Sequence, residues 1–346
     1  MGKSVHASAG ILSAIGKTPL VELYKYSIDY KLQIFAKLEF LNPGGSSKDR
    51  PALAILESAW ASGAIGPATM VVESSSGNMG IALAQACRCF GLRFICVVDP
   101  KASPVNVKIL EAYGARVDRV VEPDPVSGEW LPARLERVRT LRHEIPNSFW
   151  PNQYANPANS GAHYRTTMAE VVGQLDGKLD YLFIATSTCG TLRGCSEYVR
   201  DRRLPIRIVA VDAVGSLIFA GLNPDAGARL IPGLGAGIRP PLCDPGLVHT
   251  VVHVTDLDCI RGCRRLVARE AIFAGGSSGG VMAAIEKLQE RVPPGSRCVA
   301  ILPDRGERYL DTIYDDAWVY ERFGELVEPR LRDEQEANWT VASTRG

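Results

Sequence analysis

The sequence predicts an α/β fold built on mostly parallel β-sheets with helices on both faces. Short β-branched runs alternate with longer helical patterns almost from end to end of the 346 residues. The runs are apolar at nearly every position, which is typical of parallel strands covered by helices on both faces. Turns rich in Gly and Ser separate several of these strands from the helices that follow them.

The elements are predicted in order along the chain. Ser46 or Ser47 can cap a first helix that runs to about residue 62. The pattern then predicts strands over 70–73, 93–98, 116–121, 181–185, 207–212, 251–254 and 298–302. It predicts helices over about 78–90, 104–113, 192–203, 256–274 and 278–291. Pro and Gly mark 122–130 as a loop and 222–245 as a long irregular passage.

Composition excludes several classes of partner. Lys and Arg total 39 and Asp and Glu total 38, so a net charge of +1 gives no field that attracts nucleic acid or a membrane surface. No run reaches the roughly 18 apolar residues of a membrane helix, and residues 1–10 lack the apolar stretch of a secretory signal. We therefore expect a cytoplasmic protein that binds neither nucleic acid nor membranes. The nine cysteines include no cluster with metal-ligand spacing, so we expect no metal site.

The Gly/Ser-rich turn at residues 42–50 contains a candidate reactive lysine. Lys48 follows Ser46 and Ser47 at the predicted helix start. The positive end of the helix dipole disfavours the ammonium form there, as a lysine that forms a Schiff base requires. On this segment alone, an ordinary solvated lysine remains the alternative.

Three further turns lie between a strand and a helix, where open α/β sheets bind ligands. Residues 73–80 bring hydroxyl and N–H groups to a helix start, which suits a carboxylate. Residues 186–191 form a cup for one phosphate monoester, because the Gly-Lys-Ser/Thr ending of a nucleotide-binding loop is lacking. Residues 274–280 add another hydroxyl-bearing turn. Each turn alone could be a simple helix cap, but together they match the needs of pyridoxal 5′-phosphate and an amino-acid substrate.

Several motifs in order resemble the cysteine synthase and cystathionine β-synthase family, which has pyridoxal phosphate fold type II, as in the tryptophan synthase β-subunit. Besides the Lys48 turn, they are the segments 15–20, 75–78, 152–159, 233–237, 275–279 and 306–310. The resemblance implies a homodimer whose large cofactor-binding subdomain comprises residues 1–41 and 157–325. Residues 42–156 would form a small, mobile subdomain, and both subdomains would be three-layer α/β units with mostly parallel sheets. We expect residues 326–346 to form a charged tail that is partly disordered or packs at a subunit boundary.

The resemblance also implies roles for the matching residues. Lys48 would bind the cofactor as a Schiff base and move the substrate α-proton, Asn78 would bind the cofactor 3′-oxygen, and Ser277 would face the pyridine nitrogen. The 5′-phosphate would be held by Ser187, Thr188, Cys189, Gly190 and Thr191. The substrate-binding candidates are Ser75, Ser76, Met79, Gln153, Tyr154 and Arg239.

The implied reaction is loss of a β-substituent, which gives an aminoacrylate, followed by addition of a nucleophile. A hydroxyl rather than a carboxylate beside the pyridine nitrogen makes the ring a weaker electron sink, which favours elimination. The covalent two-stage course predicts ping-pong kinetics.

Departures from an ordinary cysteine synthase add hydroxyl and guanidinium groups near the expected mouth of the site. They are Met79, Tyr154, Ser187-Thr188-Cys189, Ile238-Arg239 and Asp304-Arg305. Sulfide needs no such groups, whereas an anionic substrate does. The departures resemble a siderophore-pathway branch that joins O-phospho-L-serine to L-glutamate on the way to 2,3-diaminopropionate. We hypothesise that Tyr154 and Ser187 select the phosphorylated donor and that Arg239 or Arg305 binds an anionic group.

Several alternatives stay open. The nearest is a sulfhydrylase that makes cysteine from O-phosphoserine or O-acetylserine. A catalytically idle homologue is disfavoured by the presence of Lys48, and a cystathionine synthase with a regulatory module is disfavoured because little chain follows residue 325. We expect Cys189 to be a small residue that fits its turn rather than a redox group. We expect His163 to be a structural hydrogen-bonder rather than a base.

Overall fold

The computed structural model describes residues 10–219, 229–325 and 327, and it confirms the predicted α/β class. Its strands form one sheet of six strands and one of four, and both are mostly or wholly parallel. Among the described residues, no helix is long and apolar enough to cross a membrane. The predicted tail, apart from Val327, lies outside the described residues.

The bounds of the elements agree closely with the predicted ones where both exist. The strands are β1 (Leu20–Glu22), β2 (Gln33–Leu38), β3 (Met70–Ser74), β4 (Arg93–Val98), β5 (Arg116–Arg119), β6 (Ser148–Phe149), β7 (Tyr181–Ala185), β8 (Arg207–Ala213), β9 (Thr250–Val254) and β10 (Arg297–Leu302). The helices are α1 (Tyr24–Tyr30), α2 (Asp49–Ala61), α3 (Asn78–Phe90), α4 (Pro104–Ala112), α5 (Trp130–Glu144), α6 (Pro157–Ala162), α7 (Met168–Gln174), α8 (Gly190–Asp201), α9 (Asp256–Glu270), α10 (Gly276–Leu288) and α11 (Asp316–Phe323).

The two sheets divide the chain as an insertion. The four-stranded sheet has the order β5-β4-β3-β6 and draws its strands from residues 70–149. The six-stranded sheet has the order β1-β2-β10-β7-β8-β9, with only β1 antiparallel to its neighbour, and draws from both sides of that segment. Each sheet has its own large apolar cluster. The subdomain limits at 41/42 and 156/157 remain a prediction.

Close packing of α9 on α10 explains part of the glycine-rich turn at 274–280. A Cβ added at Gly279 would lie 2.0 Å from the Cys259 carbonyl oxygen, and one added at Gly262 would lie 2.1 Å from the Gly279 carbonyl oxygen. Both contacts are with backbone, which cannot rotate away. Glycine at these positions therefore brings the two helices together and sets α10 against the sheet.

The differences from the predicted elements have local causes. Helix α9 ends at Glu270 rather than 274 because Ala271 takes a left-handed conformation, with φ 54°, and reverses the chain. Helix α5 and strand β2 were not predicted. Only Val138 and Leu141 of α5 are buried, so its sequence shows no clear apolar stripe. Of the predicted irregular passage, the described part, 229–244, has neither helix nor strand.

Candidate active site

The carboxyl ends of β7 and β10 meet the start of α2 at one cavity. It lies at the edge of the sheet where ligands of α/β proteins bind. Its lining brings Lys48 together with all five residues of the predicted phosphate cup, 187–191, and with Gly233 and Pro303. Residues far apart in the chain thus share one concave surface at strand ends.

Lys48 is partly buried at the residue that precedes α2. The turn around it is held by two bonds from backbone N–H groups: Ser47 N–H donates to the Pro303 carbonyl at 2.8 Å, and Lys48 N–H donates to Ser46 Oγ at 3.2 Å. Burial lowers the pKa of the Lys48 ammonium, while the charges of Asp304 and Glu39 oppose that shift. The uncharged amine, which is the nucleophilic form, is therefore more accessible than in a solvated lysine.

The cup at 187–191 joins β7 to α8 through a left-handed residue. Cys189 has φ 64°, and Gly190 begins the twelve-residue helix α8, whose N–H groups face the cavity end. A Cβ on Gly190 would lie 2.0 Å from Asn159 Oδ1, so only glycine fits there. A hydrogen bond to Cys243 and burial raise the pKa of the Cys189 thiol. The thiol is thus a poor nucleophile, in keeping with a residue that fits the turn.

His163 supports the cup from behind. Its Nδ1 lies 2.9 Å from Thr167 Oγ1 and its Nε2 lies 3.2 Å from Thr191 Oγ1, within a π-helical turn at His163–Thr167. Burial lowers the pKa of His163 well below its usual value, and the nearby charge of Lys48 adds to the effect. The neutral ring therefore bridges two hydroxyl groups and orients Thr191.

The turn after β3, which is predicted to bind the substrate carboxylate, is held in place by the buried side chain of Glu73. Glu73 accepts from Ser74 N–H at 2.8 Å, from Trp150 Nε1–H at 3.0 Å and from Gln153 N–H at 3.1 Å. The Gln153 side chain in turn donates to the Ser74 carbonyl at 3.1 Å. Burial raises the pKa of Glu73 to about 7, against the pull of these donors. Glu73, Ser74, Trp150 and Gln153 therefore belong to one connected unit.

The other predicted substrate residues differ in their surroundings. Met79 is buried in the apolar core around the four-stranded sheet. Arg239 is exposed, and its Nε donates to the Ile218 carbonyl at 2.9 Å. Arg305 Nε donates to the Phe40 carbonyl at 3.0 Å. Among the described residues, no hydrogen bond joins Arg239 or Arg305 to the cavity lining, so their predicted role in substrate binding remains a hypothesis.

Arg134 is a candidate binding residue that sequence reasoning missed. It lies on α5, donates through Nη1 to Ser76 Oγ at 3.1 Å, and pairs through Nε with Asp99 at 3.1 Å. Burial raises the pKa of Tyr154, and the positive charges of Arg134 and Arg229 oppose that shift. Two guanidinium groups thus act on Tyr154. The sequence held no signal for Arg134, because α5 itself was not predicted.

Asn78 and Ser277 each lie near the start of a helix, and neither is among the residues that line the cavity. Asn78 is the first residue of α3, and its Nδ2 donates to Asp304 Oδ2 at 2.8 Å, while Arg308 donates to its Oδ1. Ser277 is buried at the second position of α10. Both residues therefore lie on elements that begin at the carboxyl edge of a sheet, where the predicted ligand binds.

Comparisons with known proteins agree on one family. The family model described as "Pyridoxal-phosphate dependent enzyme" matches residues 11–304. An N-(2-amino-2-carboxyethyl)-L-glutamate synthase of Ralstonia nicotianae is 49% identical over 89% of this chain and 90% of its own. A protein of the same name from Cupriavidus metallidurans is 48% identical over 93% of this chain and 94% of its own. The solved O-acetylserine dependent cystathionine β-synthase of Helicobacter pylori has a TM-score of 0.82 at 31% identity, over 89% of this chain and 99% of its own.

The residues of the cavity fit pyridoxal 5′-phosphate. The cup offers N–H groups at a helix start and the hydroxyls of Ser187 and Thr191 for a phosphate, and Lys48 lines the same cavity with an amine of lowered pKa. Gly190 lets the start of α8 pack closely against Asn159, because an added Cβ would lie 2.0 Å from its Oδ1. The geometry of the chain thus suits the cofactor of the matching family.

Proposed function

The chain belongs to the pyridoxal-phosphate dependent enzyme family, and we propose that it joins O-phospho-L-serine to L-glutamate. The amino group of glutamate replaces the phosphate, and the products are N-(2-amino-2-carboxyethyl)-L-glutamate and inorganic phosphate. The observation that carries this proposal is the near full-length similarity, at 49% and 48% identity, to two proteins named for that product. Such a product would be a precursor of 2,3-diaminopropionate.

We propose that this chain's residues divide the work as follows. Lys48 holds the cofactor and moves the α-proton of the donor, because its amine lines the cavity and is readily uncharged. The cup 187–191 holds the 5′-phosphate, and Ser75, Ser76 and Gln153 bind the substrate carboxylate. When bound, the cofactor supplies the electron withdrawal that lets the β-substituent leave. Ser277 contributes a hydroxyl toward the pyridine nitrogen and thereby favours elimination.

We propose that Tyr154, Ser187 and Arg134 select the phosphorylated donor. The positive charge of Arg134 acts on Tyr154, and Arg134 contacts Ser76 of the carboxylate turn. A guanidinium beside two hydroxyl groups matches a phosphate, which accepts several charge-assisted hydrogen bonds. An acetyl ester would leave these donors without an anionic partner.

The test is the identity of the product. Purified holoenzyme is incubated with O-phospho-L-serine and either L-glutamate or sulfide, and the products are identified by mass. We expect the glutamate adduct and release of one phosphate per adduct. Formation of cysteine with no adduct would overturn the proposal.

A sulfhydrylase is the second candidate. The similar solved structure of Helicobacter pylori, at 31% identity, is named as an O-acetylserine dependent cystathionine β-synthase, so its name supports O-acetylserine as the donor but does not name sulfide as the nucleophile. The sulfhydrylase has less support, because the two relatives of 49% and 48% identity are named for the glutamate adduct. O-acetylserine with sulfide, in the same assay, measures this alternative directly.

We also propose a cytoplasmic homodimer. All nine cysteines are free, which suits a reducing compartment, and the resemblance to the family supports the dimer. Light scattering after size-exclusion chromatography should give twice the 37.4 kDa chain mass. A monomer mass at working concentration would contradict the proposed assembly and leave the proposed reaction unaffected.

A further inference from the structure

Asp304 has a buried carboxylate that lies beside the Lys48 turn and the start of α3. It lies two residues after β10 and is 1% exposed. Its Oδ2 accepts from Asn78 Nδ2 at 2.8 Å and from the Tyr309 hydroxyl at 2.5 Å. Its Oδ1 has no hydrogen-bond partner among the described residues. Burying a carboxylate costs free energy, and its hydrogen bonds to Asn78 and Tyr309 offset part of that cost.

Asp304 and Arg308 hold opposite ends of one carboxamide. Arg308 donates to Asn78 Oδ1 and also to the Gly44 carbonyl. The two ends of an amide have nearly the same shape, so packing alone does not decide its orientation. An ionised carboxylate can only accept hydrogen bonds and a guanidinium can only donate them. Together they therefore hold Asn78 in one orientation, with a single amide hydrogen left over.

The same segment contacts the other turns of the site. Ser46 and Asp304 pair as neighbouring extended residues, and Ser47 N–H donates to the Pro303 carbonyl. Gly275 N–H donates to the Asp304 carbonyl at 2.9 Å, just before α10 and Ser277. Asp304 is thus joined by hydrogen bonds to the Lys48 turn, to the start of α3 and to the start of α10.

We propose that Asp304 is a positioning residue of the cofactor site. With Arg308 it holds the Asn78 carboxamide so that the remaining N–H points to the 3′-oxygen of pyridoxal phosphate. The inference rests on the proposed function only for the cofactor and for the role of Asn78. It does not depend on which nucleophile the enzyme uses.

A double-mutant cycle tests the coupling. Asp304→Ala, Asn78→Ala and the double variant are stripped of cofactor and titrated with pyridoxal phosphate, and the dissociation constant and visible absorption maximum are measured. We expect Asp304→Ala to weaken cofactor binding about tenfold and to shift the absorption maximum. In the Asn78→Ala background, the same change should weaken binding less than about twofold, because Asp304 acts through Asn78.

Two further variants keep the test decisive. Asp304→Asn preserves the size of the side chain but can donate as well as accept, so we expect it to weaken binding about threefold; this variant carries the test if Asp304→Ala does not fold. The matched control is Asp118→Ala, which removes another buried carboxylate, one that pairs with Arg137 on the four-stranded sheet. We expect its cofactor affinity to equal that of the wild type.

Two outcomes would overturn the inference. One is an unchanged affinity and spectrum in both Asp304 variants, and the other is an equal loss in the presence and absence of Asn78. Both require that the wild type binds the cofactor. If the wild type itself stays colourless with excess cofactor and gives no reducible adduct at Lys48, the proposed function fails, and that result is distinguishable from a failure at Asp304.

Discussion

At the scale of single residues, Arg134 is the basis of our proposal that the site selects a phosphorylated donor. Arg134 reaches Ser76 from α5 and is mostly buried, whereas Arg139 of the same helix is exposed and pairs with Glu136. Helical geometry separates the two, because five residues along α5 turn the side chain to another face. Arg134 and Arg139 thus allow a comparison in which the helix and the residue type are the same.

Arg134→Ala should raise the KM for O-phospho-L-serine by about tenfold to a hundredfold, because a hydrogen bond to a charged group is worth about 1.5–3 kcal/mol. The KM for O-acetyl-L-serine should change less than about threefold, since that donor lacks the phosphate. Arg139→Ala should leave both values at the wild-type level. Equal effects on the two donors would exclude Arg134 as the phosphate-binding group.

Arg239 is tested in the same assay. If it binds an anionic substrate group, Arg239→Ala should raise a substrate KM more than it disturbs the cofactor spectrum. Its exposed position and its bond to the Ile218 carbonyl offer no direct support for that role. Unchanged kinetics would remove Arg239 from the site.

Glu73 gives the carboxylate turn a pH dependence. Its pKa is raised to about 7 in the folded protein, above the unfolded value, so the folded state binds the proton more tightly. Its contribution to the free energy of unfolding is fully present below about 4.5 and is lost as pH rises through about 7. Glu73→Gln should remove that component. From pH 5 to pH 8, the free energy of unfolding of the wild type should therefore fall relative to that of Glu73→Gln. Denaturant titrations across that range would measure the difference.

At the scale of elements, the contact of α9 with α10 sets the position of the turn that carries Ser277. Gly262→Ala would place a methyl group against the backbone of Gly279, so we expect a loss of about 1–3 kcal/mol in the free energy of unfolding. Gly173→Ala is the matched control, since Gly173 is exposed in α7 and has nothing within 4 Å of an added Cβ. That change should stabilise the protein by about 0.5–1 kcal/mol. Denaturant titration compares them, and equal effects would contradict the packing argument.

At the scale of the whole molecule, a buried ion network joins the inserted segment to the rest of the chain. Arg50 of α2 bonds Glu39 through Nε at 2.7 Å and Glu170 through Nη1 at 2.6 Å. Lys37, which is 0% exposed, also pairs with Glu170 at 2.7 Å. Glu39 precedes the segment 42–156 and Glu170 follows it. Arg50, two residues after Lys48, therefore pairs with carboxylates on both sides of that segment.

Arg50→Ala should destabilise the protein by about 3–5 kcal/mol, because it leaves Glu39 buried without its partner. Arg139→Ala, which breaks an exposed pair, should change the free energy of unfolding by less than about 1 kcal/mol. The bonds from Arg50 and Lys37 lower the pKa of Glu170 to about 2 despite its burial. Its contribution to stability is therefore present above pH 4.5 and is lost as pH falls toward 2. Denaturant titrations at neutral pH and at pH 3 would measure both effects, and a small loss in Arg50→Ala would contradict them.

Much of the fold follows from local sequence. The strands at 93–98 and 181–185 and the helix at 78–90 were predicted at their observed bounds, because turn residues flank each of them and their length and composition distinguish strand from helix. The helix at 130–144 and the strand at 33–38 could not be found that way. Their periodicity is weak, and their conformation depends on partners elsewhere in the chain.

The sequence by itself determined the α/β class, the family and the turns that bear the chemistry, because each of these is written in contiguous residues and in their order. Only the tertiary structure decided which side chains act together. Arg134 meets Ser76 across 58 residues, His163 meets Thr191 across 28, and Asn78 meets Asp304 across 226. Such pairs arise where elements distant in sequence come together at one sheet edge. The local propensity of a segment does not indicate which distant segment it will contact.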